Sequence, residues 1–335
     1  MERQQRPLRR GWTTGACATA AAKAAFFALI TGEFPDPVEV TLPRGERPSF
    51  ALALTRKEDG SATAGVTFRA GQGVGTVTRP GLPVPPGEPA INPVPRRMIA
   101  DAIVEVAAGA GRASDAEVEI AIPGGEKLAA KTLNGRLGIV GGLSILGTTG
   151  IVVPYSCSAW IHSIHRGIDV ARAAGLTHIA GATGASSEAA VQKLHGLPEF
   201  ALIDMGDFVG GMLKYLRRHP VPRVTIAGGV AKMTKLAQGL TDLHSRRGEV
   251  DRVLLANFAQ AAGGSIELSA RIMAANTAAE AFALARSDGN ALGDQVARAA
   301  KKTAEHVVEG RDIAIEIALF DRDGVLAGRA PFKPD

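Results

Sequence analysis

A chain of 335 residues is longer than one ordinary hydrophobic core organises and suits two domains. Its 46% hydrophobic and 21% charged residues exclude an intrinsically disordered protein. The net charge of +5 is scattered and aromatic residues are only 4%, which excludes the clustered bases and stacking rings of a nucleic-acid groove.

At the N-terminus Arg3, Arg6, Arg9 and Arg10 precede an alanine-rich run with the outward look of a secretory signal. Lys23 and two threonines interrupt it, and it reads as too short to span a bilayer, so no membrane association and a cytoplasmic location are expected. Thr14 is placed to cap a helix from about Ala16 to Ile30, ended by Thr31-Gly32. Extended segments are expected over Val38 to Leu42 and Phe50 to Thr55. Residues 71–95 are rich in Gly and Pro and read as a stiffened loop, Asn92-Pro93-Val94-Pro95 included. A helix from Arg96 to about Ala108, a strand from Glu117 to Ile122 and a turn at Pro123-Gly124-Gly125-Glu126 follow. Residues 1–156 therefore read as an α+β domain.

From Cys157 the rhythm becomes alternating helix and strand. Helices are predicted over His162–Ala174, Ser186–Leu194, Asp207–Arg218 and Val230–Gln238, and strands over Thr177–Ala180, Phe200–Ile203 and Arg223–Ala227. That alternation implies parallel pairing in a Rossmann-like α/β layer across residues 157–335. Three helical stretches fill roughly 250–309, and Ile313–Phe320 with Val325–Arg329 form a hairpin about Asp321-Arg322-Asp323-Gly324.

The densest chemical signal is residues 134–154, where glycines and Thr148-Thr149 interrupt an aliphatic run. Glycine weakens strands and helices alike, so its concentration here points to backbone left bare for a ligand. The Thr-Thr-Gly unit recurs at Thr13-Thr14-Gly15, and Ala182-Thr183-Gly184 is a near relative. In doubly wound sheets ligands bind beyond the carboxyl ends of strands. Three such ends carry candidates. Gly181, Thr183 and Gly184 precede a helix N-terminus suited to an anionic group. Asp204, followed by Gly206 and Asp207, has the spacing of a carboxylate that takes a ribose diol. Gly228 and Gly229 allow a ligand moiety against backbone. Together they indicate an adenosyl or nicotinamide nucleotide, while Asp207 by itself reads first as the N-cap of its helix.

Lys232 and Lys235 fall near a helix start, where the dipole disfavours cations; that hints at an anion nearby, although solvated lysines are the default reading. His162 and His165 share a helical face as candidate acid/base groups or ligands, with ordinary structural histidines the preferred reading. Cys17 sits where a first-turn thiolate is stabilised, with a buried small hydrophobe the preferred reading. Two cysteines, Cys17 and Cys157, make no disulfide framework, and no Cys/His spacing has the pattern of a zinc site, so no protein-bound metal is expected. In the first half Arg9, Arg10, Lys23, Arg79, Arg96, Lys131 and Arg136 lie in or beside the Gly/Pro-rich segments, as does Asn92. Several cations around exposed backbone suit a multi-carboxylate ligand, because guanidinium binds carboxylates bidentately.

Arg10-Gly11-Trp12-Thr13-Thr14-Gly15-Ala16-Cys17-Ala18 resembles the N-terminal signature of the cobalt-precorrin-5B C1-methyltransferase (CbiD) family. The stretches Gly73-Val74-Gly75-Thr76-Val77-Thr78-Arg79-Pro80-Gly81-Leu82 and Pro89 to Arg96 are similar to it too. So are Lys131 through Gly150, Gly206-Asp207-Phe208-Val209-Gly210, and Ala231 through Ala237. The resemblance runs in order from about residue 8 to 245. It implies methyl transfer from S-adenosylmethionine to C1 of a cobalt-containing tetrapyrrole in the oxygen-independent route to cobalamin, the cobalt belonging to the substrate. It assigns Thr13, Thr14, Gly15, Lys23, Arg79, Asn92, Arg96, Lys131, Arg136, Thr148 and Thr149 to the tetrapyrrole, and the second-half loops to the methyl donor. No catalytic side chain is assigned, and a homo-oligomer is compatible with this reading.

Three departures from the family pattern stand out. Asp59-Gly60-Ser61-Ala62-Thr63-Ala64-Gly65 passes almost directly to Thr67-Phe68-Arg69, without the Asp-Asp-Pro-Asp stretch usual there. Gly229 stands in place of a histidine, and Ala182-Thr183-Gly184 in place of Pro-Gly-Asn. The first departure keeps open a corrinoid-binding relative without turnover. A nicotinamide oxidoreductase is the weakest alternative, since no Gly-x-Gly-x-x-Gly follows the relevant strand.

Overall fold

The computed structural model describes residues 9–55 and 65–333. It is a mixed α/β protein that divides after Ser156 into two compact units. The altered stretch at residues 59–64 lies outside the described residues.

The first unit is stitched from short pieces. β1 (Gly11–Trp12) leads into α1 (Thr14–Thr31), then β2 (Val38–Glu39), β3 (Ser49–Phe50), β4 (Val66–Ala70), β5 (Gly73–Val74) and β6 (Thr76–Val77). After α2 (Pro93–Ala110) come β7 (Ala116–Ile120), α3 (Gly125–Ala129), β8 (Ile139–Val140), β9 (Gly142–Leu143) and β10 (Ile151–Val152). These strands pair two by two, antiparallel in β1–β10, β2–β3 and β6–β8, parallel in β4–β7 and β5–β9. Its apolar interior is correspondingly split into small clusters, one around Ile91, Ile99, Ile103 and Ile145, another around Ala16, Ala20, Val38, Val40 and Leu42.

Two helix starts differ from the sequence reading. Thr13, not Thr14, caps α1, its Oγ1 accepting from Ala16 N at 3.2 Å. α2 begins three residues earlier than read, at Pro93 behind Asn92, because the first turn of a helix needs no amide donor and Pro supplies its φ. α1 is also long and apolar enough, by length and composition, to cross a membrane: 18 residues at mean hydropathy 1.4. The reading of this run as too short for that is therefore corrected. In the structure its alanine face, Ala16, Ala20, Ala24 and Ala28, is buried within the unit, and Lys23 Nζ ties it to Glu105 of α2 at 2.9 Å.

The second unit is built on one sheet. α4 (Cys157–Ala173), β11 (His178–Ala182), α5 (Ala185–His195), β12 (Leu202–Asp204), α6 (Val209–Leu216), β13 (Arg223–Gly229) and α7 (Val230–Ala237) come first. Four helices follow where three were read, α8 (Arg252–Ala261), α9 (Ile266–Ala274), α10 (Ala278–Ser287) and α11 (Leu292–Val307), and then β14 (Ala314–Phe320) and β15 (Leu326–Ala330). The strand order is β12-β11-β13-β14-β15, parallel except for the last strand. Val224, Ile226, Ile315 and Ile317 are buried, as central parallel strands covered on both faces require. α11 presents Leu292, Val296, Ala297, Ala300 and Ala304 as a helical stripe, all buried in the same core.

Glycine decides the closest approaches. A Cβ on Gly142 would overlap the backbone of Gly73, and one on Gly125 would overlap it from another side. The glycine-rich run thus lets the chain approach itself. We expect Gly142→Ala to cost about 2 kcal/mol or more through overpacking. Gly109→Ala, inside α2 with open space at its Cβ, should be neutral or stabilising by up to about 1 kcal/mol. Urea unfolding of both variants checks the pair.

α4 meets α6 through His165, whose ring stacks on Tyr215 with centroids 3.9 Å apart and planes at 11°. The Tyr215 hydroxyl donates to Asp169 Oδ1 at 2.7 Å. Burial lowers the His165 pKa, with His162, Arg166 and His219 pushing the same way and Asp169 opposing them. The fold therefore favours the neutral ring, and this contribution is complete above the unfolded histidine pKa and lost as pH falls below it. Denaturant midpoints measured from about pH 7.5 to 5.5 should fall less in His165→Phe, which keeps the stack, than in the parent.

Candidate functional site

In the second unit the register brings the three candidate strand ends to one edge. Ala182 lies opposite both Asp204 and Ala227, so the residues following β11, β12 and β13 emerge together. Thr183 N donates to Ala227 O at 3.0 Å, and Gly206 N to Ala182 O at 3.2 Å, which knits the three loops. Gly184 and Gly229 precede α5 and α7, and a Cβ at either would meet open space.

Two of the expected glycines have another job. β11 extends to Ala182, so Gly181 lies within the strand rather than in a loop, and the Met212 side chain fills the place of its missing Cβ. Gly228 likewise lies within β13, where a Cβ would stand 2.6 Å from Met233 Cε and 2.9 Å from Thr183 Oγ1. Both glycines are packing devices under the site.

Asp207 is not a helix cap. α6 starts two residues later behind Phe208, and Asp207 Oδ1 instead faces Lys232 Nζ at 3.1 Å. The directed hydrogen bond of Lys232 goes to Thr183 O at 2.9 Å. The buried Oδ1 consequently receives no hydrogen bond of proper geometry among the described residues. Asp207 is thus the anion that explains a lysine in the first turn of α7. Lys235 lies in the last turn, where the dipole favours it, and its buried Nζ donates to Leu243 O at 3.3 Å. Trp160 of α4 was missed by sequence reasoning. Its Nε1 donates to Asp204 O at 2.9 Å, and its ring lies against Gly206, which sits at φ 54°. Only the fold could reveal it, because Trp160 lies 44 positions before its partner.

In the first unit most predicted substrate residues spend their polar atoms on the unit itself. Thr13 N donates to Gly150 O, and Thr14 Oγ1 donates to Ser144 O and accepts from Leu146 N at 2.9 Å. Gly15 N donates to Leu146 O, and a Cβ there would stand 2.7 Å from Pro95. Asn92 Nδ2 donates to Ile145 O, and Thr149 Oγ1 to Ile151 O. Arg96 donates to Ile91 O and Pro89 O, pairs with Glu88 and lies over the Phe68 ring. Lys23 is held by Glu105, and the Arg79 side chain runs across Gly138. Arg136 is half-buried, while Lys131 and Thr148 are exposed. Thr148 also lines a cavity of about 500 Å³ with Thr19, Thr41, Arg97, Asp101 and Glu105. None of those five neighbours was singled out from sequence, and their mixed charges form a polar wall beside the α1–α2 contact.

His165 serves α4 packing through its stack on Tyr215, while His162 is exposed and meets the His165 ring edge-on at 6.0 Å. Cys17 is exposed on the first turn of α1, yet desolvation of its sulfur outweighs the backbone hydrogen bond and raises its pKa, so it is no stabilised thiolate. One cluster of metal-ligating type does form among the described residues, from His178, His195 and Glu316. Spacing alone could not show it, since three separate elements contribute.

The CbiD family profile matches residues 1–67 and 57–154, and its C-terminal-domain profile residues 242–331. The two matches of the first profile overlap at residues 57–67, about where the acidic stretch is lacking. Curated relatives named cobalt-precorrin-5B C(1)-methyltransferase include one from Bradyrhizobium sp. (strain BTAi1), 61% identical over 97% of this chain and 94% of its own. One from Agrobacterium fabrum is 58% identical over 100% and 96%. The Bradyrhizobium alignment spans 353 residues, more than this chain contains, so the relative carries residues absent here. A crystal structure of a cobalamin biosynthesis protein (cbiD) from Archaeoglobus fulgidus is 27% identical, covering 72% of this chain and 83% of that one, with a TM-score of 0.36. The ordered match along both units, with identity above half over almost the entire length, establishes that this chain belongs to the CbiD family.

Proposed function

We propose that the chain transfers a methyl group from S-adenosylmethionine to C1 of cobalt-precorrin-5B, giving cobalt-precorrin-6A in anaerobic cobalamin biosynthesis. The observation that carries this reading is the near full-length similarity to relatives bearing that activity in their names.

The second unit is the Rossmann-like part of this proposal and the donor's binding domain. Its strand order, numbered within the unit, is 2-1-3-4-5, and such sheets bind ligands where the order reverses. The reversal falls between β11 and β13, beside Thr183, Gly184 and Gly229. Asp204 and Asp207, with Gly206 between them, supply carboxylates at the neighbouring strand end. A buried Oδ1 lacking a directed hydrogen bond suits a ligand hydroxyl or ammonium, and the open space at Gly184 and Gly229 suits close approach of the rest. Trp160 adds an aromatic wall.

S-adenosylmethionine supplies an already activated methyl: its S–C bond breaks as the new C–C bond forms, and the electron pair returns to sulfur. The protein then needs to align three atoms and keep water out. Asp204, Asp207 and the Thr183 loop hold the donor, and the Lys232–Asp207 pair fixes the Asp207 carboxylate. The first unit is the tetrapyrrole-binding domain in this reading. Lys131, Thr148, Arg79 and Arg136 face the acidic periphery of the tetrapyrrole, while Thr13, Thr14, Gly15, Lys23, Asn92, Arg96 and Thr149 hold the loops that carry them.

Calorimetric titration with S-adenosylhomocysteine, alone and with the cobalt-tetrapyrrole bound, tests the donor site. Saturable binding is expected, followed by anaerobic turnover to a singly methylated product. Retention of the tetrapyrrole with no donor binding would instead favour a corrinoid-binding relative that lost turnover with its acidic stretch. Asp204→Ala should weaken S-adenosylhomocysteine by about tenfold or more while leaving tetrapyrrole affinity within about twofold. Unchanged donor affinity would remove Asp204 from the site.

A further inference from the structure

The opposite end of the same sheet holds a second polar centre. His178 opens β11, Thr225 lies on β13, Glu316 directly opposite it on β14, and His195 closes α5. The Glu316 side chain is 0% exposed. Its Oε1 accepts both Arg329 nitrogens, Nε at 2.8 Å and the terminal nitrogen at 2.7 Å. Its Oε2 accepts the Thr225 hydroxyl at 2.7 Å and His195 Nε2 at 2.6 Å. Because the Thr225 hydrogen goes to Glu316, His178 Nε2 must be the donor in its 2.8 Å contact with Thr225 Oγ1. The two imidazoles and the carboxylate offer three ligand atoms within 4.8 Å of one another. The rings meet edge to face at 4.8 Å, and the Phe332 ring closes over His178 at 5.2 Å.

We propose that His178, His195 and Glu316 bind a divalent transition-metal ion of the zinc class. Two imidazole nitrogens and one carboxylate oxygen, with a fourth position for water, are a donor set such ions take. Tetrahedral ligation at about 2.0–2.1 Å separates donors by roughly 3.3 Å, so side-chain movements of about an ångström convert the hydrogen-bonded centre into a ligated one. Arg329 on Oε1 and the Thr225 hydroxyl on Oε2 orient the carboxylate, the role outer groups take in metal sites. The two histidines are half-buried, His178 at the start of β11 and His195 at the end of α5, which gives the ion a route in. Its chemistry is separate from the donor site, since it faces the beginning of the strands rather than their ends. There it would cross-link α5, β11 and β14.

The full chain, freed of metal by chelator, is titrated with Zn²⁺ in competition with a chromophoric chelator, and with Co²⁺ followed by absorption. One ion per chain is expected, with a tetrahedral nitrogen and oxygen Co²⁺ spectrum and a rise in Tm on adding Zn²⁺. His178→Gln and His195→Gln each keep a hydrogen-bond donor but remove the imidazole, and each should weaken binding by about 10- to 100-fold with an unchanged far-UV spectrum. Should a variant misfold, the parent's Co²⁺ spectrum decides alone. Absence of saturable one-to-one binding, binding as tight as the parent's in both glutamine variants, or a thiolate charge-transfer band that puts the ion on Cys17 or Cys157 would overturn the proposal.

Discussion

Backbone passing against backbone, with no side chain between, is the constraint on which the first unit rests. Gly73, Gly125 and Gly142 converge there, and each would overlap a neighbouring segment's main chain if it carried a methyl group. With all its strands but β4 and β7 only two residues long and a divided apolar interior, this unit has few long ladders to hold it. Its cohesion comes from short loops locked by Thr14 and Asn92, whose polar groups bind carbonyls far away in sequence, and by Arg96, which binds the nearby carbonyls of Ile91 and Pro89. The second unit uses the same allowance differently. Gly181 and Gly228 let methionines sit against the sheet, and Gly293 lets α11 rest on the backbone of Ala327 and Gly328.

The strands and helices of the second unit were legible from residue 157 onward because each parallel strand reads as an apolar run and each helix has its own stop. The break at Ser156 was visible for the same reason, as a change of rhythm. Boundaries slipped by a few residues where Pro entered a first turn, as at Pro93, or where a strand continued through glycine, as at Gly181. The parallel pair β4–β7 was missed because its two strands lie far apart in sequence, and parallel partners leave no local turn signature.

Of the candidate site, the three loops were readable because strand ends in alternating folds are predictable places. The meaning of individual residues was not. Glycine density in residues 134–154 suggested bare backbone, yet density cannot say whether a ligand or the chain itself occupies the space. Asp207 looked like a cap by position, while Lys232, a quarter of a hundred residues on, is what it meets. The partnerships of Trp160 with Asp204, and of His178 and His195 with Glu316, arise only when the sheet assembles.

The sheet's two margins have a consequence for the protein at high concentration. β12 spans only Leu202–Asp204, too short to recruit a foreign strand. At the far margin the outward amide of Arg329 on β15 is already taken by Asp294 Oδ1 at 2.9 Å, and α11 leans on the adjoining backbone. An open sheet would otherwise present unpaired amides as a template for aggregation. Here one margin is cut short and the other is occupied by a side chain from a helix, so crowding leaves little for a neighbouring chain to extend.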